Sequence, residues 1–195
     1  MWFVTLSGNL VHMQIDVSNT TQLVLLKEEH ALKLFNMVAA NRDHLREWLP
    51  FADQMNNLEF ASRFIEGTIQ RNKAGQEYAF LIVENQVPIG RIGVYKIDLI
   101  NQTGEIGYWI IADRQGKGIV SAGCKALVSF CFKNLPLNRI EIRCATLNLR
   151  SFAIPEKLGF KREGILSECE WLSNRFIHHY LHALLKNEYE KMQHT

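Results

Sequence analysis

The stretch from Gly104 to Phe132, GEIGYWIIADRQGKGIVSAGCKALVSFCF, constrains the fold of this chain most. Glu105 to Ile111 is aromatic and β-branched, which is the composition of a strand. Arg114-Gln115-Gly116-Lys117-Gly118 breaks that pattern. From Ile119 onward, Val120, Cys124, Leu127, Val128 and Cys131 recur at helical spacing. Glycines between a strand and a helix let backbone N–H groups crowd around a negative group. The positive end of the helix dipole then favours an anion, and Lys117 adds a cation. The turn suits phosphate; the plain alternative is a tight connection. It is not a P-loop, because Ile119 follows Gly118 where Ser or Thr would stand. Nor is it the dinucleotide fingerprint, because the third glycine is absent.

Gln115-Gly116-Lys117-Gly118 resembles the pyrophosphate loop of the GNAT superfamily of acyl-CoA-dependent N-acyltransferases, whose pattern is Gln/Arg-x-x-Gly-x-Gly/Ala. Gln115 and Gly118 match. Val120 stands where Gly or Ala is usual, which narrows the loop without removing N–H donors. Trp48-Leu49-Pro50, Asn148-x-x-Ser151, Glu156-Lys157-Leu158-Gly159-Phe160 and Glu163-Gly164 follow in the family's order. Together they resemble the RimJ/RimL-like ribosomal-protein N-terminal acetyltransferase branch, over roughly Thr21 to Tyr189.

At 195 residues the chain suits one domain with a sizeable core. Its 22 basic and 20 acidic residues leave a formal charge of +2, which argues against broad electrostatic binding to nucleic acid. No stretch approaches the roughly 18 apolar residues of a membrane span. The opening MWFVTLSGNLVHMQID lacks a basic start and is broken by Ser7-Gly8-Asn9, so it does not read as a signal peptide. Residues 1–20 are an extension, with Met13 as an alternative start, or an edge strand. Residues 21–190 form the catalytic domain. Cys124, Cys131, Cys144 and Cys169 have no C-x-x-C spacing and read as reduced thiols, which suggests the cytoplasm.

Taken in order, Thr21 to Leu26 reads as a strand. Helices follow at Glu28 to Ala39, at Arg42 to Trp48 (stopped by Pro50) and at Glu59 to Lys73. Tyr78 to Val83 is a continuous apolar run, as in a strand covered on both faces. Glu84-Asn85-Gln86 turns into a strand at Ile89 to Ile97, where Gly90 and Gly93 allow close packing or a bulge. Arg139 to Thr146 alternates cleanly. Asn148 caps a short helix that Pro155 should bend or confine. Phe160 to Leu172 and Arg175 to Leu185 read as the last two strands. The class is α/β (α+β), a single domain. By its resemblance the fold is GNAT-like: a mixed, mostly antiparallel sheet of about seven strands, helices on both faces, and a splayed central strand pair holding acyl-CoA.

The resemblance also implies site residues. Gln115, Gly116, Lys117, Gly118, Ile119 and Val120 would hold the pyrophosphate of acetyl-CoA. A bulge around Ile110 or Ile111 would offer an N–H to the oxyanion. Asn148 would bond the pantetheine amides, cap the helix, or both. Ser151 is the candidate acid for the leaving thiolate, or else a first-turn serine. Glu170 is the candidate base, or else a surface carboxylate. As base it would be desolvated by Trp171 and raised in pKa, with Glu168 on the same strand face. Trp48 and Phe51 would line the acceptor pocket or pack the helices. One of Tyr108 and Trp109 faces the cleft; Tyr108, Trp171 and His178 would also contact the acceptor. His178 stands where an acidic residue is common. It shares a face with Tyr180 and His182, without the cluster a metal needs. The implied reaction is transfer of acetyl from acetyl-CoA to a protein N-terminus by direct attack. The alternatives are a small-amine acceptor, such as a polyamine or amino sugar, and a CoA-binding protein without turnover. Neither metal, nucleic acid nor membrane is expected, and a homodimer is compatible with the resemblance.

Overall fold

The computed structural model describes residues 13–193. Eight strands form one sheet: β1 (Gln14–Asp16), β2 (Thr21–Leu25), β3 (Tyr78–Glu84), β4 (Val87–Asp98), β5 (Thr103–Ile110), β6 (Arg139–Ala145), β7 (Lys161–Leu172) and β8 (Arg175–Leu185). Their order is β1-β2-β3-β4-β5-β6-β8-β7. Only β5 and β6 run parallel; every other neighbouring pair is antiparallel. The strand beyond the seven expected is β1, a three-residue edge strand. Questions about the first twelve residues lie outside the described residues.

The continuous apolar run of β3 is explained by its two covered faces. Phe80 and Ile82 point to a core built on α5 (Ile119–Asn134), with Leu127, Cys131 and Ile140. Ala79 and Leu81 point the other way, to a core built on α1 (Ala31–Ala40) and α4 (Leu58–Lys73), with Leu34, Ile65 and Trp109. Strand alternation thus divides one apolar run between two layers of helix. Asn85 and Gln86 carry the β3–β4 hairpin at φ of 48° and 67°. That left-handed pair matches the twist of the flanking strands.

Between α1 and α4 lie α2 (Arg42–Leu45) and α3 (Phe51–Gln54). The Arg42 guanidinium donates to the carbonyls of Ala52 and Met55, which ties the two short helices together. The chain closes with α6 (Leu149–Lys157), set after β6, and α7 (Lys186–Gln193).

Two features differ from expectation. The β4–β5 register is unbroken from Gly90 opposite Ile110 to Tyr95 opposite Glu105, and its irregularity lies at Tyr95 to Asp98 instead. Close approach is what Gly90 serves: a Cβ there would sit 2.4 Å from the Trp109 carbonyl oxygen. Second, α6 runs unbroken from Leu149 to Lys157 with Pro155 inside it.

Candidate active site

β5 and β6 pair only from Thr103 opposite Arg139 to Ile106 opposite Ile142. Each strand continues past that point, so the sheet parts between them. A cleft of about 810 Å³ opens there. Its walls are the end of β5, the glycine loop with the first turn of α5, and α6, with Trp48 from the α2–α3 connection.

At one end the cleft is suited to an anion. Gly116 and Gly118 have φ of 72° and 76°, a region that glycine enters without penalty. A Cβ on either would meet nothing within 4 Å. Their bareness therefore serves backbone shape and ligand approach, not internal packing. Gly118 is the N-cap of α5, and no side chain caps that helix. The first-turn N–H groups of Ile119, Val120 and Ser121 have no acceptor within the helix and lie along the cleft.

The cations differ from expectation. Lys117 is exposed and is not part of the cleft wall. Arg114, Arg150 and Lys157 line it instead. Arg150, Ile154 and Lys157 share one face of α6 at helical spacing and were legible as such. Gln115 links three walls. Its carboxamide nitrogen lies 2.9 Å from His44 Nε2 on α2, and its oxygen accepts from the Arg150 guanidinium.

At the other end lies a pair of hydroxyls. Ile111 donates its N–H to the Ile89 carbonyl at 2.9 Å, so it is not the free donor. By strand alternation the Tyr108 and Ile110 N–H groups turn the opposite way, towards the gap left by β6. Tyr108, treated from sequence as an acceptor contact, joins α6. Its phenol donates to the Ser151 carbonyl at 3.1 Å and accepts the Ser151 hydroxyl at 3.3 Å. Pro155 helps set this up. The Ser151 carbonyl would normally take the N–H four residues on, and Pro155 has none. That oxygen is left for the phenol. Asn148 fixes the same turn, accepting the Ser151 N–H at 3.1 Å. Burial pushes the Tyr108 phenol well above the ordinary tyrosine range, the buried Cys124 thiol adds to this, and the Ser151 hydroxyl opposes it.

The remaining sequence candidates lie apart from the cleft. Phe51 stacks on Phe64 with ring centroids 5.7 Å apart and packs in the α1–α4 core, so it is a packing residue. Trp171, 56% exposed, meets Phe176 edge-on at 4.8 Å near the end of the β7–β8 hairpin. A register shift between Leu166 and Glu170, with Glu168 at φ 49°, interrupts the alternation that would pair Glu168 with Glu170. Glu170 Oε2 lies 3.0 Å from His179 Nε2, a partner the sequence did not reveal. His178 accepts the Glu168 N–H at 3.1 Å through Nδ1 and lines a smaller pocket, shared with Trp48. His182 is fully buried, between Glu156 at 3.2 Å and the Cys144 thiol at 3.8 Å. Among the described residues no group of three or more His, Cys, Asp and Glu side chains is arranged to hold a metal ion. Among them, too, no helix is long and apolar enough to cross a membrane.

Comparison with known proteins gives the same assignment. Residues 21–161 match the family model described as an acetyltransferase (GNAT) domain. The chain is 34% identical over 171 residues to YdaF of Bacillus subtilis (strain 168), whose own assignment as a ribosomal N-acetyltransferase is provisional; the match covers 85% of this chain and 91% of that protein. It is 28% identical over 162 residues to the ribosomal-protein-serine acetyltransferase of Escherichia coli (strain K12), covering 83% and 90%. Among solved structures, RimL, a ribosomal L7/L12 α-N-protein acetyltransferase in complex with coenzyme A, superposes with a TM-score of 0.87 at 26% identity, over 90% of this chain and 99% of that one. The chain belongs to the GNAT family of acetyltransferases.

Proposed function

We propose that this protein transfers the acetyl group of acetyl-CoA to the α-amino group of a protein N-terminus, with a ribosomal protein as acceptor. The observation that carries this reading is the Tyr108–Ser151 hydroxyl pair at the inner end of a cleft whose outer end is an uncapped helix N-terminus ringed by Arg114, Arg150 and Lys157. That arrangement fits a long donor with phosphates at one end and a reactive thioester at the other. The relatives named for ribosomal-protein acetylation support the acceptor class.

The chain's residues then take distinct roles. The first turn of α5, with Arg150, holds the phosphates. The Ile110 N–H steadies the thioester oxygen as negative charge develops on it. The acceptor nitrogen bonds to the carbonyl carbon while the carbon–sulfur bond breaks. The nitrogen gives up a proton, and the departing sulfur gains one. An α-amino group has a pKa near 7.7–8.0, so a carboxylate suffices as base. Glu170, with His179 beside it, takes that proton through solvent. Ser151, backed by Tyr108, protonates the sulfur. A ribosomal-protein acceptor implies a reaction in the cytoplasm, where such proteins are made.

The test is thiol release from acetyl-CoA with a panel of short peptides bearing free N-termini, polyamines and amino sugars. Turnover with peptides, and acetyl on the α-nitrogen, is the expected result. Turnover confined to polyamines or amino sugars would overturn the assignment.

A further inference from the structure

A second pocket, of about 140 Å³, lies beside the cleft. Trp48 and Leu147 are walls of both. The rest of its lining includes Ala145, Leu172, Phe176 and Ile177. Ala145 is the last residue of β6, beyond the point where β5 and β6 part; its partner on β8 is His179, two residues from Ile177. Glu170 pairs with Ile177 across β7 and β8, so its side chain lies on the same face of the sheet as that of Ile177, one of the lining residues. The pocket therefore adjoins the hydroxyl pair's cleft through Trp48 and Leu147, and one residue of its wall, Ile177, is the strand partner of the candidate base.

Its size and lining define what it takes. A cavity of about 150 Å³ lined by Leu, Ile and Phe holds a benzene-sized group. Leu147 and Phe176 are 64% and 56% exposed, apolar surface that an incoming side chain would cover. Charge narrows the choice further. Arg175 stands in the lining with no ion-pair partner among the described residues, and no carboxylate lines the pocket. A polyamine would meet a like charge there and find no counter-ion. A peptide with an apolar side chain close to its N-terminus and a carboxylate next to it would satisfy both features.

We infer that this pocket selects the acceptor: it seats a Leu-, Ile- or Met-sized side chain within the first residues of an N-terminus, and Arg175 pairs with an acidic side chain that follows. This rests on the N-terminal acetyltransferase reading above. It adds which N-termini are chosen.

The experiment uses the full chain and peptides with Ser at the first position. The second residue is Gly, Ala, Leu or Ile, and the third is Glu, Gln or Lys. Steady-state acetylation is measured, and peptide binding without acetyl-CoA is followed by calorimetry. Leu or Ile at the second position should raise kcat/KM roughly ten- to hundredfold over Gly, with a parallel gain in binding. Ala145→Leu, which fills the pocket, should bring the Leu-over-Gly preference down towards one. Should that core-edge variant fold poorly, Arg175→Glu on the exposed turn tests the charge. It should reverse the Glu-over-Lys preference, by about two- to fivefold each way as an exposed ion pair allows. Peptides acetylated at equal rates whatever their second and third residues would overturn the pocket's role and leave the acetyltransferase reading standing. Acetylation of polyamines and of no peptide would overturn both.

Discussion

Tyr108 and Ser151 bond twice: the phenol donates to the Ser151 carbonyl at 3.1 Å and accepts from the Ser151 hydroxyl at 3.3 Å. Strand β5 and helix α6 are joined by this pair where β5 and β6 part. Because burial holds the phenol protonated, it stays a donor through the neutral range. A thiolate leaving beside Ser151 would take the Ser151 hydroxyl proton, and the phenol would then turn its own proton from the Ser151 carbonyl to the serine oxygen. Ser151→Ala and Tyr108→Phe should each lower turnover roughly ten- to thousandfold, the range for acid–base groups. The double variant should be little worse than the worse single one, since the two act as a unit. Calorimetry should show CoA binding nearly unchanged in all three. Losses that multiply in the double variant would separate the two residues.

Pro155 offers a test of the same geometry from the back of the helix. Pro155→Ala restores an N–H that can bond the Ser151 carbonyl and compete with the phenol. Proline in a helix interior costs up to about 3 kcal/mol relative to alanine, so the variant should melt no lower than the parent. Turnover should nevertheless fall about two- to tenfold, the equivalent of one hydrogen bond. Unchanged turnover in a well-folded variant would show that the carbonyl is not needed free.

The glycine loop should respond to charge more than to bulk. Gly118→Asp places a like charge where a phosphate would lie and forces a side chain into φ 76°. Arg150→Ala removes the cation that Gln115 holds at the cleft wall. Both should weaken CoA binding by about tenfold or more, the second as for a charged hydrogen bond. The loss in Arg150→Ala should shrink as salt is added. CoA affinity that is untouched by Gly118→Asp would remove the loop from the site.

Much of this was legible in the sequence, and what was not has identifiable causes. The β3 run, the α5 periodicity and the Asn148 cap are local signals, and each is found where expected. Pro50 was read as a stop, and the helical stretch from Arg42 does end before it; it also stands as the N-cap of α3, since a proline at a helix start gives up no bond. The polar sequence of α7 has Tyr189 as its one buried residue, too little for a stripe. Glu168 was misplaced because a bulge breaks the period-two rule that placed it. The His44–Gln115–Arg150 chain joins three distant segments, which no local pattern announces. The same is true of the Tyr108–Ser151 pair.

The buried His182 gives the fold a pH dependence. Burial holds its pKa below the ordinary value, against the opposing pull of Glu156. The unfolded chain, with histidine near 6.5, takes up the proton first. Stability is therefore full above about pH 6.5 and is lost as pH falls through the lower pKa of the folded state. His30 is shifted in the same direction, also chiefly by burial, so its share of the slope stays. His182→Gln should flatten part of the fall in melting temperature on mild acidification. An unchanged slope would mean that His182 takes its proton without cost.

The central claim is acetylation of a protein's α-amino group, and the direct measurement is mass spectrometry of N-terminal peptides after incubation of purified ribosomal proteins with this protein and acetyl-CoA. The expected result is one acetyl group on the N-terminal nitrogen of a small subset of those proteins, absent with the Ser151→Ala, Tyr108→Phe double variant. Acetyl found only on lysine side chains, or equal N-terminal acetylation with the double variant, would contradict it.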